Sequence, residues 1–319
     1  MLKVLALALY MLAAQDAVAQ DYPNRLIRII NPFAAGGPSE LVARELAVGL
    51  AAQFGQQVII ESRPGGGTVI GADYVAKAPA DGYTLLLASA SSLIVAPFIN
   101  PNMPYDARKD FVPVAMFATV PNLIAVHPSL PVNSVKELID YAHREPGKLN
   151  YASAGTGTGP HLAGELFKRM AKVDLVHVPF KGAAPAVPEL LAGRVQVSFL
   201  NLSPQMPHVK AGKLRALGIA SARRSVLLPE VPTVEESGLP GFILESWNGI
   251  AAPSSTPAPV LQALSAAITQ VMNQTPVRQR LQSMGAESTP MSREEFAAYL
   301  KADEERLAPI IRALGLKSG

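Results

Sequence analysis

Two glycine-rich stretches carry the residues best suited to holding a small anion. Gly37-Pro38 and Gly159-Pro160 each come a few residues after an apolar run that predicts a strand, and each opens a helical pattern. A helix leaves its first amides without internal partners, and a glycine cap has no side chain that can accept from them. Because a helix N-terminus carries about half a positive charge, a carboxylate is a natural partner for both helix starts.

The amides that need partners at these starts belong to Ser39, Glu40, His161 and Leu162. One such start in each of two lobes could hold the two ends of a dicarboxylate, or both could share one carboxylate. Water, a nearby carbonyl oxygen or a local cap from Ser39 or Thr158 would satisfy the amides without any ligand. The residues alone therefore leave a ligand site and a hydrated loop both open.

Other kinds of site find little support in the sequence. The chain has no cysteine and no H-E-x-x-H motif among its five histidines, so we expect neither a metal nor another cofactor. It also lacks the G-x-x-x-x-G-K-[ST] and G-x-S-x-G motifs of nucleotide hydrolysis and of a nucleophile elbow. We therefore expect a protein that is not an enzyme. The alternative is an exported hydrolase or other enzyme that acts on a small carboxylate through His161 with Ser153 or Ser89.

The N-terminal residues predict export. Met1-Leu2-Lys3 precedes an apolar run over residues 4–14, and Ala17-Val18-Ala19 fits a signal-peptidase site. The run is too short to span a bilayer, which needs about 20 apolar residues. We therefore predict that residues 1–19 are a signal peptide, cleaved after Ala19, and that the mature protein is periplasmic. The formal net charge of +3, without a run of basic residues, argues against nucleic acid as a partner.

The remaining chain alternates strand and helix patterns, which predicts an α/β layered fold. The apolar run at 26–30 indicates a buried strand, the run at 84–88 is typical of a strand buried in a parallel sheet, and residues 149–152 are predicted to form a further strand. Ser134 and Ser292 each begin a capping box at the start of a helix, and the last part of the chain is predicted to be mostly helical.

A proline break divides the chain into two predicted lobes. Val120-Pro121-Asn122 interrupts a long apolar stretch, which indicates a crossing from one lobe to the other. We predict lobe 1 at residues 20–121 and 245–319 and lobe 2 at residues 122–244. Two lobes joined by two crossings would leave a cleft between them, a common place for a ligand.

Five motifs spread over the mature chain resemble those of one known family. They are PFAAGGP from residue 32, ESRPGGG from 61, ADGYTLL from 80, YASAG from 151 and VPFKG from 178. Together they are similar to the Bug-type, TctC-like periplasmic substrate-binding proteins of tripartite tricarboxylate transport systems. The family often has aspartate where this chain has Glu40, which affects the expected hydrogen bonding at the first helix start.

The resemblance implies a periplasmic binding protein fold of type II, whose two α/β lobes close on a small carboxylate-bearing solute. It implies membrane transporter subunits or a sensor as partners and requires no chemistry on the ligand; we expect a monomer. Together with the helix starts, it gives as expected ligand-binding residues Phe33, Ala34, Ala35, Gly37, Ser39, Ser89, Ser153, Gly155, Thr156, Thr158, His161, Lys181 and Asn201.

Overall fold

The computed structural model describes residues 22–316, and the predicted signal peptide lies outside them. The strands of this part of the chain are β1 (Ile27–Asn31), β2 (Val58–Ser62), β3 (Thr84–Ala88), β4 (Phe111–Pro121), β5 (Leu123–Val126), β6 (Asn150–Ser153), β7 (Val176–Pro179), β8 (Val197–Ser198), β9 (Arg215–Ile219), β10 (Glu245–Pro253) and β11 (Glu287–Met291). Its α-helices are α1 (Pro38–Phe54), α2 (Val69–Ala76), α3 (Ala96–Ile99), α4 (Val135–Arg144), α5 (Gly159–Ala171), α6 (Ala183–Leu191), α7 (Leu202–Lys210), α8 (Ala258–Met272), α9 (Thr275–Ser283) and α10 (Arg293–Leu314). Among the helices of residues 22–316, none combines the length and the hydropathy that a membrane span requires.

The first sheet has six strands in the order β11-β4-β10-β3-β1-β2. β1 pairs in parallel with β2 and β3, while β10 is antiparallel to both β3 and β4. Because the carboxyl ends of parallel strands meet at one edge of a sheet, Asn31, Ser62 and Ala88 lie on the same side. Leu46 of α1 and Ile268 of α8 belong to one buried core on this sheet, so the helices after the return strand β10 pack on the first lobe.

The second sheet has five strands in the order β7-β6-β8-β5-β9. β6 is parallel to β7 and β8, whereas β5 is antiparallel to β8 and β9. Ser153, Pro179 and Ser198 therefore mark the edge of this sheet at which β6, β7 and β8 end.

The two sheets confirm the predicted two-lobed α/β fold. The first sheet takes its strands from both ends of the described chain, and the second takes its strands from the middle. The amide of Ala220 donates to the carbonyl of Asn122 (2.8 Å), and the amide of Leu244 donates to the carbonyl of Ala220 (3.0 Å). These bonds hold the two crossings side by side; the lobe limits at 121/122 and 244/245 stay our prediction.

The structure contains four strands or α-helices that the sequence patterns did not indicate: α3, α7, β9 and β11. Pro207 lies inside α7, and a proline within a helix breaks the pattern by which a helix is recognised. β11 forms an edge of the first sheet with the half-polar sequence ESTPM, in a region that was expected to be mostly helical. An edge strand buries little of its surface, so its sequence carries only a weak alternating pattern.

Candidate functional site

A cavity lies between the two lobes, where helices begin after strands of both sheets. The cavity volume is about 50 Å³, several times the volume that one water molecule needs. Its wall combines the starts of α1, α5 and α6 with the N-cap of α7 and the residues after β3. These wall residues include Gly37, Pro38, Ser39, Ser89, Ala90, Ser91, Thr158, Gly159, Pro160, Gly182, Ala183 and Asn201.

The first helix start keeps its amides free, as its sequence predicts. Gly37 is the N-cap of α1 in an extended conformation and makes no side-chain cap bond. The amides of Ser39 and Glu40 form no hydrogen bond with residues 22–316. The carboxylate of Glu40 is buried, accepts from the amide of Gly36 (2.7 Å) and pairs with Arg44. Glu40 therefore fixes the loop before the helix and leaves the amide of Ser39 at the cavity.

The second helix start differs from the prediction by one residue. Thr158, not Gly159, is the N-cap of α5, but its hydroxyl donates to the carbonyl of Gly155 (2.6 Å) instead of capping the helix. Thr158 is already extended, so its carbonyl accepts the first helical bond, from the amide of Leu162 (3.0 Å). Leu162 is thus satisfied, and the amides left without a partner among the described residues are those of Gly159 and His161.

Ser153 and His161 accept hydrogen bonds from amides of the second loop and do not line the cavity. Ser153 Oγ accepts from the amide of Gly155 (3.1 Å) and lies 2.6 Å from His177 Nε2. His161 Nδ1 accepts from the amide of Gly157 (3.0 Å), and its ring stacks on that of His177 at 4.0 Å. A direct ligand contact by Ser153 or His161 stays a prediction.

Burial gives this cluster its charge state. It lowers the pKa of His161 to about 4 and that of His177 to about 3, so both rings are neutral at neutral pH. Glu165 accepts from the hydroxyl of Tyr151 (2.7 Å) and pairs with Lys168 (3.0 Å), which brings three further titratable groups to the stacked histidines.

Apart from Ser153 and His161, the expected ligand residues fall into three groups. Phe33, Gly37, Ser39, Ser89, Thr158 and Asn201 line the cavity. A wider groove shares Phe33 and Thr158 with the cavity, and it is also lined by Gly155, Thr156 and Lys181. Ala34 packs against Gly182, where an added Cβ would lie 3.1 Å from Ala34 Cβ, and Ala35 is exposed and lines neither space.

Ser89 combines burial with a free hydroxyl. Its Oγ has no hydrogen-bond partner among residues 22–316, although the side chain is only 8% exposed and lines the cavity. A buried polar atom without a partner costs free energy, and a ligand atom can supply the missing bond. The hydroxyl therefore marks a place at which the cavity is built to receive a polar group.

One wall of the cavity was missed at the level of sequence. Trp247 Nε1 donates to Asp303 Oδ2 (2.9 Å), and Arg306 pairs with Asp303 (2.7 Å), so β10 and α10 close this side. Trp247 is the single tryptophan of the chain, and this was the one feature of the sequence that could have drawn attention to the position. A lone large aromatic is more often part of a core, so the pattern did not indicate a cavity wall.

The fold and the site together define a two-lobed solute-binding protein, with a cavity closed between two α/β lobes at the ends of their parallel strands. Residues 42–316 match the family model described as the tripartite tricarboxylate transporter family receptor, TctC. The chain belongs to this family, whose members are periplasmic binding proteins, and the predicted membership is confirmed.

Known proteins of this kind are similar over almost the whole chain. Protein BugT of Bordetella pertussis is 35% identical over 305 residues, which cover 95% of this chain and 94% of BugT. The solved structure of Rpa4515 of R. palustris with adipate is 35% identical and superposes with a TM-score of 0.90, covering 93% of this chain and 99% of that one. MatC of Rhodopseudomonas palustris with bound malate is 33% identical, with a TM-score of 0.86 and coverages of 91% and 100%.

Proposed function

We propose that this protein captures a small organic acid between its lobes and delivers it to membrane transporter subunits or reports it to a sensor. The observation that carries the proposal is the convergence of helix starts from both lobes on one cavity. There the amides of Ser39 and Gly159 and the hydroxyl of Ser89 are without partners among the described residues. Such donors can hold a carboxylate without a direct bond from a basic side chain; Arg306, the arginine of the cavity wall, is paired with Asp303.

The ligand class follows from the same donors. The free donors come from both lobes, so a ligand with two acidic groups can engage each lobe separately. Adipate and malate, named with the two similar structures, are both dicarboxylates and head the set of candidate ligands. Lys181, in the adjoining groove, provides a positive charge for an acid that extends out of the cavity.

Capture occurs by closure of the lobes. The ligand first binds the open form on one lobe, and the loop of the other lobe then completes the contacts. The ligand shifts the equilibrium toward the closed form by its differential affinity for that form. We further propose that the protein acts as a monomer and that the signal peptide is cleaved after Ala19.

The cavity gives the enzymatic alternative no support. Ser153 is fully buried, and its hydroxyl is bound by Gly155 and His177 and does not line the cavity. Ser89 and His161, the other members of the alternative, make no hydrogen bond with each other. We therefore propose binding without chemistry on the ligand.

A thermal-shift screen tests the proposal directly. The panel contains mono-, di- and tricarboxylates, acidic amino acids and aromatic acids, each beside its neutral amide. A ligand present at about 100 times its Kd adds about 2.7 kcal/mol of stability, which raises the Tm by several degrees. We expect a selective shift with one class of acid and none with the amides. Equal shifts with acids and amides, or none with any acid, would remove the carboxylate assignment.

A further inference from the structure

A buried hydrogen-bond network joins the cavity wall to both crossings between the lobes. The side-chain nitrogen of Asn201 donates to Asn122 Oδ1 (2.8 Å) and to Ser246 Oγ (3.0 Å). Asn122 stands between β4 and β5 at the first crossing, and Ser246 belongs to β10 just after the second. Asn201 is 6% and Asn122 is 1% exposed, so their bond forms away from water, whereas Ser246 is half-buried.

The rest of the Asn201 side chain is left for the cavity that it lines. A carboxamide nitrogen has two hydrogens, and Asn122 and Ser246 use both. No donor among the described residues bonds Asn201 Oδ1. The start of α5 reaches the same place, since a Cβ on Gly159 would lie 2.9 Å from Ser246 Oγ. The cavity and the two crossings therefore share one wall.

The bond between Asn201 and Ser246 also connects the two sheets. Asn201 precedes α7 and follows β8 of the second sheet, whereas Ser246 is in a strand of the first sheet. Asn201 Nδ2 additionally lies 3.4 Å from the carbonyl of Val120, which is in β4 of the first sheet. A rotation of one lobe against the other changes the distances on which these bonds depend.

We propose that Asn201 is a positioning residue that links occupation of the cavity to the geometry of both crossings through Asn122 and Ser246. In the closed form its nitrogen bonds both partners while its oxygen meets the ligand. A ligand that holds Asn201 in this orientation thereby favours closure, since it binds the closed form more tightly than the open one. The inference rests on the capture function proposed above.

The test measures lobe closure with a pair of dyes on the full protein. The chain has no cysteine, so Val48→Cys and Val226→Cys, at residues 65% and 66% exposed, provide two clean attachment sites. Energy transfer between single dye pairs is recorded without ligand and with adipate for the parent, for Asn122→Ala and for Ser246→Ala. Asn248→Ala is the matched control, because Asn248 is also 1% exposed but its carboxamide has no hydrogen-bond partner among residues 22–316.

We expect Asn122→Ala and Ser246→Ala to shift the ligand-free population toward the open form and to weaken adipate binding about fivefold or more. Asn248→Ala should leave both unchanged. The proposal is overturned if the two network variants match the parent, or if Asn248→Ala shifts the population equally. Should Asn122→Ala not fold, Ser246→Ala decides alone, because it removes a single hydroxyl. If adipate closes neither the parent nor any variant, the choice of ligand is wrong. The ligand-free populations of the parent and the variants then still decide whether the hydrogen bonds of Asn201 favour closure.

Discussion

Gly67 of the first lobe lies directly against Thr156 of the second. A Cβ built on Gly67 would come within 2.5 Å of the carbonyl oxygen of Thr156, a distance that real Cβ atoms do not adopt. Gly67 follows β2, and Thr156 is in the loop between β6 and α5. The lobes are therefore in contact across the groove.

Replacing Gly67 by alanine should weaken ligand binding about tenfold or more, because the added methyl group prevents this contact. Gly66→Ala is the matched control. Gly66 has a similar φ (+56° against +60°), but its Cβ would lie an ordinary 3.4 Å from Val69 in its own turn. Both variants should lose about 1 kcal/mol of stability, since alanine disfavours a positive φ. Titration with adipate and thermal melting separate the two effects, and equal affinity of the two variants would contradict this account of closure.

Truncation of Ser89 separates a ligand contact from a structural one. Ser89→Ala should weaken carboxylate binding about fivefold to fiftyfold and leave the Tm unchanged or slightly raised, because its buried hydroxyl has no partner among residues 22–316. Ser92 provides the comparison. Its hydroxyl donates to the carbonyl of Ser89 (3.1 Å), and Ser92 does not line the cavity. Ser92→Ala should therefore lower the Tm more than it weakens carboxylate binding. Calorimetric titration and melting of both variants check this, and the reverse pattern would show that Ser89 is structural.

The sequence was sufficient for the elements whose signals are local. The apolar strand at 84–88 has its predicted bounds, and Ser292 forms the predicted capping box with Glu295. Ser134 accepts from the amide of Glu137 as predicted, but the Glu137 carboxylate accepts from the amide of Asn133 instead of Ser134, so this capping box is incomplete. Gly37 is the N-cap of α1, as predicted. This signal is also local, because a proline directly after the cap favours the first position of a helix.

Contacts set by strand register or by distant segments could not be read from the sequence. Ser153 meets His177, not His161, because β6 and β7 pair in parallel with Tyr151 opposite His177. Trp247 and Asp303 are 56 residues apart and meet only through the packing of α10 on the first sheet. Neither pairing leaves a periodic pattern in the chain.

Loss of the Asp303 carboxylate should destabilise the wall of the cavity. Asp303→Ala leaves the buried Nε1–H of Trp247 without its acceptor and also removes the ion pair with Arg306. We expect a loss of about 2 kcal/mol in the free energy of unfolding. Glu304→Ala, next in the chain, removes a more exposed pair with Arg108 and should cost less than about 1 kcal/mol. Urea denaturation followed by the single tryptophan measures both, and equal losses would contradict the buried role of Asp303.

The stacked histidines predict a loss of stability in mild acid. The pKa of His161 is lowered by burial to about 4, so between its usual value near 6.5 and pH 4 the unfolded chain binds a proton that the folded chain does not. Stability therefore falls as pH drops through this window. The effect of His161 is on the order of 3 kcal/mol by linkage. His177, Glu165, Lys168 and Tyr151 are the titratable groups around it, and His177 extends the loss toward pH 3.

His161→Gln should flatten this dependence, because glutamine can accept from the amide of Gly157 and does not titrate. Denaturation at pH 7, 6, 5 and 4 compares the variant with the parent, and the exposed His143→Gln serves as control. A parent and a His161→Gln variant with the same slope between pH 6.5 and 4 would show that His161 is not held neutral by the fold.

The most direct measurement is a calorimetric titration of the protein with adipate and with adipamide, its neutral diamide of the same length. Donors at the helix starts of both lobes favour negative charge, so adipate should bind at least a hundredfold more tightly than adipamide, and added salt should change the ratio little inside the closed cavity. Binding of both compounds with the same Kd would contradict the central claim, as would a failure of every acid of the panel to bind.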